Sequence, residues 1–462
     1  MKAVLDYILD MGAGVFLPII MILLGLCMKM KPKKAIIAGL TLGVAFTGMS
    51  IVLDFMFGAI SPAASAFVEN TGIQLNAIDV GWSPMSTIAW AWPYALAMFP
   101  IQIGINIVML MFKWTDTLNV DLWNVWGKIL TATIVTAVCG NIAIGLLAAS
   151  LQVVLELKNA DLIAKPINKM THIPGVTCTH MMNLQCVIMA PMNRILDFIP
   201  GINKINLDAK ALKEKIGVFS ENSVMGFIVG ALIAAFGGYG FKEILNTAVQ
   251  VATALVLFPM VAKLFMQALA PIADAIGDFM KKKFKDRELH IGLDWPFMAG
   301  LSEVWVAAII LVPIELLLSV VLSKMGVNNV LPLGAIVNIG MIVPALIVTG
   351  GNLARMIILA TAVTPIYLLV ATKFAPLFTE LAISTKAISE VSLQGGQMLS
   401  WFGIEAPTFR YSIAQASAAL NGDLMGLLLF GAWIVCFFYY VNYMKKKNGK
   451  VVEENKGLKE AK

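Results

Sequence analysis

Apolar residues run through this chain in long, nearly uncharged blocks set apart by short polar punctuation. Blocks of this length read as membrane-spanning helices, because about 20 apolar residues cross a bilayer. In the first half, spans are predicted near Met11–Met28, Ala35–Phe57, Pro84–Phe112 and Ile129–Leu155. In the second half they are predicted near Val218–Phe236, Ile244–Val261, Trp295–Leu322, Leu331–Val348, Leu353–Val370 and Leu424–Tyr443. Residues 58–80 are too polar to span. Two stretches, 156–217 and 374–410, are apolar but broken by proline, glycine and polar groups. Backbone of that kind at membrane depth must be enclosed by protein or line a cavity. Each is therefore predicted to be re-entrant, the first with a short fifth span. The sum is an all-α polytopic membrane protein with about eleven transmembrane helices.

Charge sets the orientation. Basic clusters at Lys29–Lys34, Lys204–Lys215, Lys281–His290 and Lys445–Lys447 sit in short loops beside apolar segments. By the positive-inside rule these loops are cytoplasmic. The N-terminus is then outside and the C-terminus inside an inner (cytoplasmic) membrane, which an odd number of spans requires. Residues 446–462 read as a polar, disordered cytoplasmic tail.

The punctuation repeats. Trp82, Trp92 and Pro100 recur as Trp295, Trp305 and Pro313 at a constant offset of 213 residues, and GNIA at Gly140–Ala143 recurs as GNLA at Gly351–Ala354. Five predicted spans separate the copies. Five is odd, so the second copy enters the membrane from the opposite side. The expected plan is two inverted five-helix repeats, about residues 8–205 and 215–412, with a final helix over about 422–444. Inverted repeats of this type place a substrate site near the bilayer midplane where the halves meet.

Composition agrees: 59% of residues are hydrophobic and 13% charged, which excludes an ordinary soluble protein. The net charge of +6 lies in the loops and is no nucleic-acid signature. The cysteines at 27, 139, 178, 186 and 436 show no metal spacing. No metal site, cofactor or nucleotide-binding motif is expected. The first apolar run has no basic leader or cleavage site, so no cleavable signal peptide is predicted.

Polar residues that persist in such a chain mark candidate sites. They group at Asp79–Trp82 (DVGW), at Thr115–Trp126 with Asp116, Asn119, Asp121 and Asn124, at Thr171–His180, at Gly292–Pro296 with Asp294 and Trp295, and at Asn338, Asn352 and Arg355. Glu303 and Glu315 lie inside an otherwise apolar span. Trp82 and Trp295 read either as interfacial anchors or as ring faces for a sugar-like ligand. Asp121 and Asn124 read either as a solvated loop or as hydroxyl partners. Carboxylates and amides beside aromatic rings suit a polyhydroxyl substrate, since the rings pack on C–H surface and the carboxylates accept hydroxyl protons.

DVGW at Asp79–Trp82, TLNVDLWN at Thr117–Asn124 and the span plan over about residues 8–445 resemble the galactitol-type membrane subunit IIC of the phosphotransferase system, in the ascorbate–galactitol superfamily. The resemblance implies a homodimer. It also implies alternating access, in elevator fashion, and a substrate phosphorylated on entry by a phosphocysteine on a separate IIB protein, itself supplied by IIA. It implies ligands at Asp79, Gly81 and Trp82, at Asp294 and Trp295, at Asp121 and Asn124, and at His180, with Asp294 or His180 as the candidate base. The superfamily's ascorbate branch has a histidine near the position of Asp121, and this departure favours a polyol. The rival reading is an ion-coupled secondary transporter with Glu303 and Glu315 as its ion sites. A further alternative is a purely structural or regulatory membrane subunit.

Overall fold

The computed structural model describes most of residues 30–199, 222–253, 289–384 and 398–460, with scattered positions near 15–26 and 256–268. Most of the predicted first span, most of the basic loops at 204–215 and 281–290, and the middle of the second re-entrant stretch lie outside the described residues.

Helices dominate. In the first half α1 (Pro32–Asn70) leads through β1 (Ala77–Asp79) to α2 (Trp82–Trp90) and α3 (Met98–Met111), then to β2 (Thr117–Asn119), α4 (Val125–Cys139), α5 (Ile142–Thr171), β3 (Val176–Cys178) and α6 (Cys186–Leu196). The second half begins with α7 (Asn222–Phe236) and a helical run over 241–253. It continues with β4 (His290–Leu293), α8 (Ser302–Lys324), β5 (Val330–Leu331), α9 (Ile339–Thr349) and α10 (Leu353–Ser384). It ends with β6 (Met398–Ser400), α11 (Pro407–Ser417) and α12 (Met425–Glu460). Among the described residues four helices are long and apolar enough to cross a membrane: α5, α8, α10 and the first part of α12.

Several predicted spans are redrawn. The span expected over 129–155 is two helices, because Gly140 takes a left-handed φ of 70° and Asn141 caps the next helix, its side chain accepting from the backbone N–H groups of Ala143 and Ile144. Left-handed glycine ends helices and asparagine starts them. The echoing segment behaves alike: Gly350 and Gly351 have φ of 70° and 86°, and the Asn352 side chain accepts from Arg355 N. At 15 and 11 residues, α4 and α9 are shorter than the ~20 residues of a full span. Conversely α5 continues through the polar stretch to Thr171, α10 runs on to Ser384, and α1 passes through residues 58–70. The span expected over 84–112 is interrupted between α2 and α3. The tail expected to be disordered continues α12 as helix to Glu460; lysine and glutamate, both good helix formers, dominate its sequence.

The two helix tips sit at opposite ends of α12. Near the first tip, Val138 O accepts from Asn421 Nδ2 at 3.1 Å, just before α12 begins. Near the second, Ile347 O and Val348 O accept from Lys447 Nζ at 3.1 and 2.8 Å. A cation at the last carbonyls of a helix is a favourable placement. Between Met425 and Lys447 a helix rises about 33 Å at ~1.5 Å per residue, close to the ~30 Å of a bilayer core.

The fold is not purely helical. Two three-stranded parallel sheets form, ordered β5-β1-β6 and β2-β4-β3. In each, a strand of one half is flanked by two strands of the other. Ala77 pairs with Val330 in one sheet and Thr117 with His290 in the other; a shift of 213 residues turns one pairing into the other.

Candidate functional site

The β2-β4-β3 sheet assembles the site. Its strands are parallel, with Leu118 against Ile291 and Thr177 against Gly292, so all three end on one side. Asp121, His180 and Asp294 are the first titratable residues beyond those three ends. In open parallel sheets, the crevice beyond the carboxyl ends of the strands is where ligands bind. Gly292 permits the packing: a Cβ there would lie 2.3 Å from Thr179 Cγ2 and 3.0 Å from Thr117 Cγ2. Val120 N donates to Gly292 O and Thr179 N to Leu293 O, each at 3.1 Å, which extends the ladder up to the site.

His180 stands between two carboxylates. Its Nε2 is 3.6 Å from Asp294 Oδ1 and 3.4 Å from Glu405 Oε1. Its Nδ1 accepts from Met182 N at 3.3 Å, so a neutral ring carries its proton on Nε2, facing the acids. Asp294 Oδ1 accepts from Trp295 N at 2.6 Å and caps the short 3-10 turn Trp295–Met298. The Trp295 ring is half-buried and 6.4 Å from that of Trp305. Asp121 and Asn124 also border Asp294. Asp121 Oδ2 accepts from Asn124 Nδ2 at 2.6 Å and Asp121 Oδ1 from Asn124 N at 3.1 Å. The Gln102 side chain donates to Asp121 O and holds that loop.

Behind this front lies a sealed layer of charge. Lys128 Nζ is 2.6 Å from Glu156 Oε2 and also donates to Asn124 O, while Gln152 Nε2 donates to Glu156 Oε1. Arg410 donates to Gly127 O at 2.9 Å, and its Nη2 is 3.6 Å from Glu405 Oε2. Its guanidinium lies over the Trp401 ring, 5.6 Å from the centroid. The side chains of Lys128, Glu156 and Arg410 are at most 1% exposed, whereas His180, Glu405 and Asp294 keep 5, 10 and 11%. The imidazole and its two acids are thus the more open side of this cluster, and the cations lie behind them.

The other predicted motif, Asp79–Trp82, binds backbone amides. Asp79 Oδ1 accepts from Gly81 N and Phe402 N, and Asp79 Oδ2 from Ala335 N, at 3.1, 3.0 and 2.7 Å. Asp79 and Gly81 thus tie together the loops of the β5-β1-β6 sheet, and Trp82, 40% exposed, opens α2. Glu303 lies in the first turn of α8 and Glu315 is buried in its middle. Twelve residues of helix separate them by about 18 Å, so they do not form one ion site.

Glu405, Arg410, Lys128 and Glu156 were not singled out from sequence. A signal existed for each. Lys128 and Glu156 flank the predicted span 129–155, where buried charge is costly and marks function. Glu405 lies between Gly403 and Pro407, inside the second stretch expected to be re-entrant.

The model of a family described as the PTS system sugar-specific permease component (EIIC-GAT) matches residues 7–390. The chain belongs to this family. The PTS system galactitol-specific EIIC component of Escherichia coli (strain K12) is 33% identical over 409 residues, 87% of this chain and 90% of its own length. Its namesake in Escherichia coli O157:H7 gives the same figures. The Putative permease IIC component of Escherichia coli (strain K12) is 33% identical over 406 residues, 86% of this chain and 92% of its own. The protein is accordingly a multi-pass membrane permease component of the phosphotransferase system, working with IIB and IIA components. A IIC permease needs a polar, enclosed site for a sugar or sugar alcohol, and the sheet end carrying His180 has that chemistry.

Proposed function

We propose that this permease binds a hexitol, galactitol, from outside and carries it across the inner membrane while a phosphocysteine on the IIB partner phosphorylates it. The observation that carries this reading is the convergence of Asp121, His180 and Asp294 at one sheet end. Carboxylates and an imidazole, backed by Asn124 and flanked by Trp295, suit a chain of hydroxyls. Asp79, Gly81 and Trp82 serve the frame of the second sheet. The galactitol-specific relatives favour that polyol.

The two halves are read as inverted repeats within about eleven spans. The exchange of halves between the two sheets, the shared 213-residue register and the tips at opposite ends of α12 support this. With the basic loops inside, the N-terminus faces out and the C-terminus faces in. The halves move against each other by alternating access around the site, in a homodimer whose apolar interface uses the first spans of each repeat, including Met225–Phe236.

The test is binding of galactitol to the purified protein, followed by uptake into vesicles. Product that arrives phosphorylated only when phosphorylated IIB is present supports the reading. Accumulation of free galactitol without IIB would replace it with ion-coupled transport.

A further inference from the structure

Among the described residues the acids at the site differ in how far they are held: Asp121 and Asp294 accept hydrogen bonds, and Glu405 accepts none. Asp294 Oδ1 is held by Trp295 N, and both oxygens of Asp121 are held by Asn124. Among the described residues Glu405 accepts no hydrogen bond; it has only charge contacts, with His180 at 3.4 Å and Arg410 at 3.6 Å. His180 cannot serve as acceptor toward the site in its neutral form, because its Nδ1 already accepts from Met182 N and its Nε2 is the proton-bearing atom. The separations from Nε2 to Glu405 and to Asp294 both exceed an ordinary hydrogen bond of about 2.7–3.2 Å. Glu405 is also fixed in place. Ala406, the next residue, takes a left-handed φ of 45°, Pro407 opens α11, and Arg410 lies one turn along that helix. Residues held in such backbone cluster at functional sites.

We propose that Glu405 is the base that accepts the proton of the polyol hydroxyl being phosphorylated, with Arg410 as its positioning residue. The inference rests on the reading of the chain as a phosphorylating polyol carrier. The hydroxyl oxygen attacks the phosphorus of a phosphorylated cysteine on the IIB partner. The O–P bond forms as the P–S bond breaks, and the sulfur leaves as a thiolate with the bonding pair. The hydroxyl proton passes to the Glu405 carboxylate, which becomes a neutral acid and later yields it to the thiolate or to water. His180 Nε2–H donates to the same hydroxyl oxygen and aims its proton at Glu405.

The experiment uses the full chain in nanodiscs, galactitol as the probe and phosphorylated IIB as donor. It measures galactitol Kd and the single-turnover rate of phosphoryl transfer. Glu405→Gln should keep Kd within about threefold and slow transfer by about 10²- to 10⁴-fold, the usual share of a general base. Glu405→Asp retains the charge opposite Arg410 and should slow transfer less, at unchanged Kd. Arg410→Lys should likewise lower the transfer rate more than the affinity. Transfer at the wild-type rate in Glu405→Gln would overturn the proposal, as would an equal loss of affinity and rate. Wild-type protein that bound no galactitol, or left it unphosphorylated, would instead overturn the functional reading.

Discussion

The two parallel sheets have the same construction and opposite fates. Their central strands end in DVGW at Asp79–Trp82 and GLDW at Gly292–Trp295, which are the same four positions with aspartate and glycine exchanged. In the first, the aspartate is the last strand residue and its carboxylate turns back to three loop amides, while Gly81 makes the turn with φ of 76°. In the second, glycine occupies the strand position between Thr117 and Thr179, and the aspartate projects beyond it toward His180. One end is closed by its own carboxylate. The other turns its carboxylate to its own helix cap and to the His180 imidazole. The repeat supplies a common frame, and a two-residue exchange within it separates scaffold from chemistry.

The largest effect should come from the charge layer behind the open end. Lys128→Met leaves Glu156 buried without its cation, and removing one partner of a buried pair costs about 3–5 kcal/mol. Thermal unfolding in mild detergent should show a large drop, and the double variant Lys128→Met/Glu156→Gln should recover most of it. A single variant as stable as wild type would mean that this layer is hydrated and that the contrast between the two ends is smaller than described.

Next comes Asp294→Asn. Asparagine keeps the cap on Trp295 N but loses the charge. A charged acceptor in a hydrogen bond is worth roughly 1.5–3 kcal/mol, so galactitol should bind about ten- to a hundredfold more weakly, with little change in unfolding temperature. Wild-type affinity in this variant would remove Asp294 from the site.

The sequence carried the frame further than the details. Asp121, His180 and Asp294 stood out because polar groups are rare in such a chain, and each indeed lies at one sheet end. Their convergence was not legible. The strands that join them are three or four residues long and pair residues more than a hundred positions apart, so no hydropathy period reveals them. Glu405 and Arg410 escaped for a related reason: their segment reads only as broken, and its partner His180 is 225 positions earlier. The Gly-Asn echo is visible as a repeat, and its physical meaning is a helix stop at Gly140 followed at once by a helix start at Asn141, which hydropathy alone merges into one span.

The mirror experiment of Asp294→Asn is Asp79→Asn. Here an amide group would face Ala335 N or Phe402 N and leave a buried donor unsatisfied, a cost of about 1–3 kcal/mol. Stability should fall while galactitol affinity stays within about twofold. The reverse pattern, lost affinity at unchanged stability, would make the β5-β1-β6 end a second part of the binding site and break the contrast.

The smallest predicted effects test whether the two halves share a frame at all. Gly140 and Gly350 end α4 and α9 with the same φ of 70°. An alanine at either position must adopt a left-handed conformation, which costs about 1 kcal/mol. A Cβ on Gly140 meets nothing within 4 Å, and one on Gly350 meets only the flexible end of Lys447 at 3.6 Å, so backbone strain is the whole effect in both. Gly140→Ala and Gly350→Ala should therefore lower stability by similar small amounts and add in the double variant, since the tips lie far apart along α12. Measured side by side by thermal unfolding, a loss several times larger at one tip would show that it carries a load the other does not. The equivalence of the halves would then stop at the sheets.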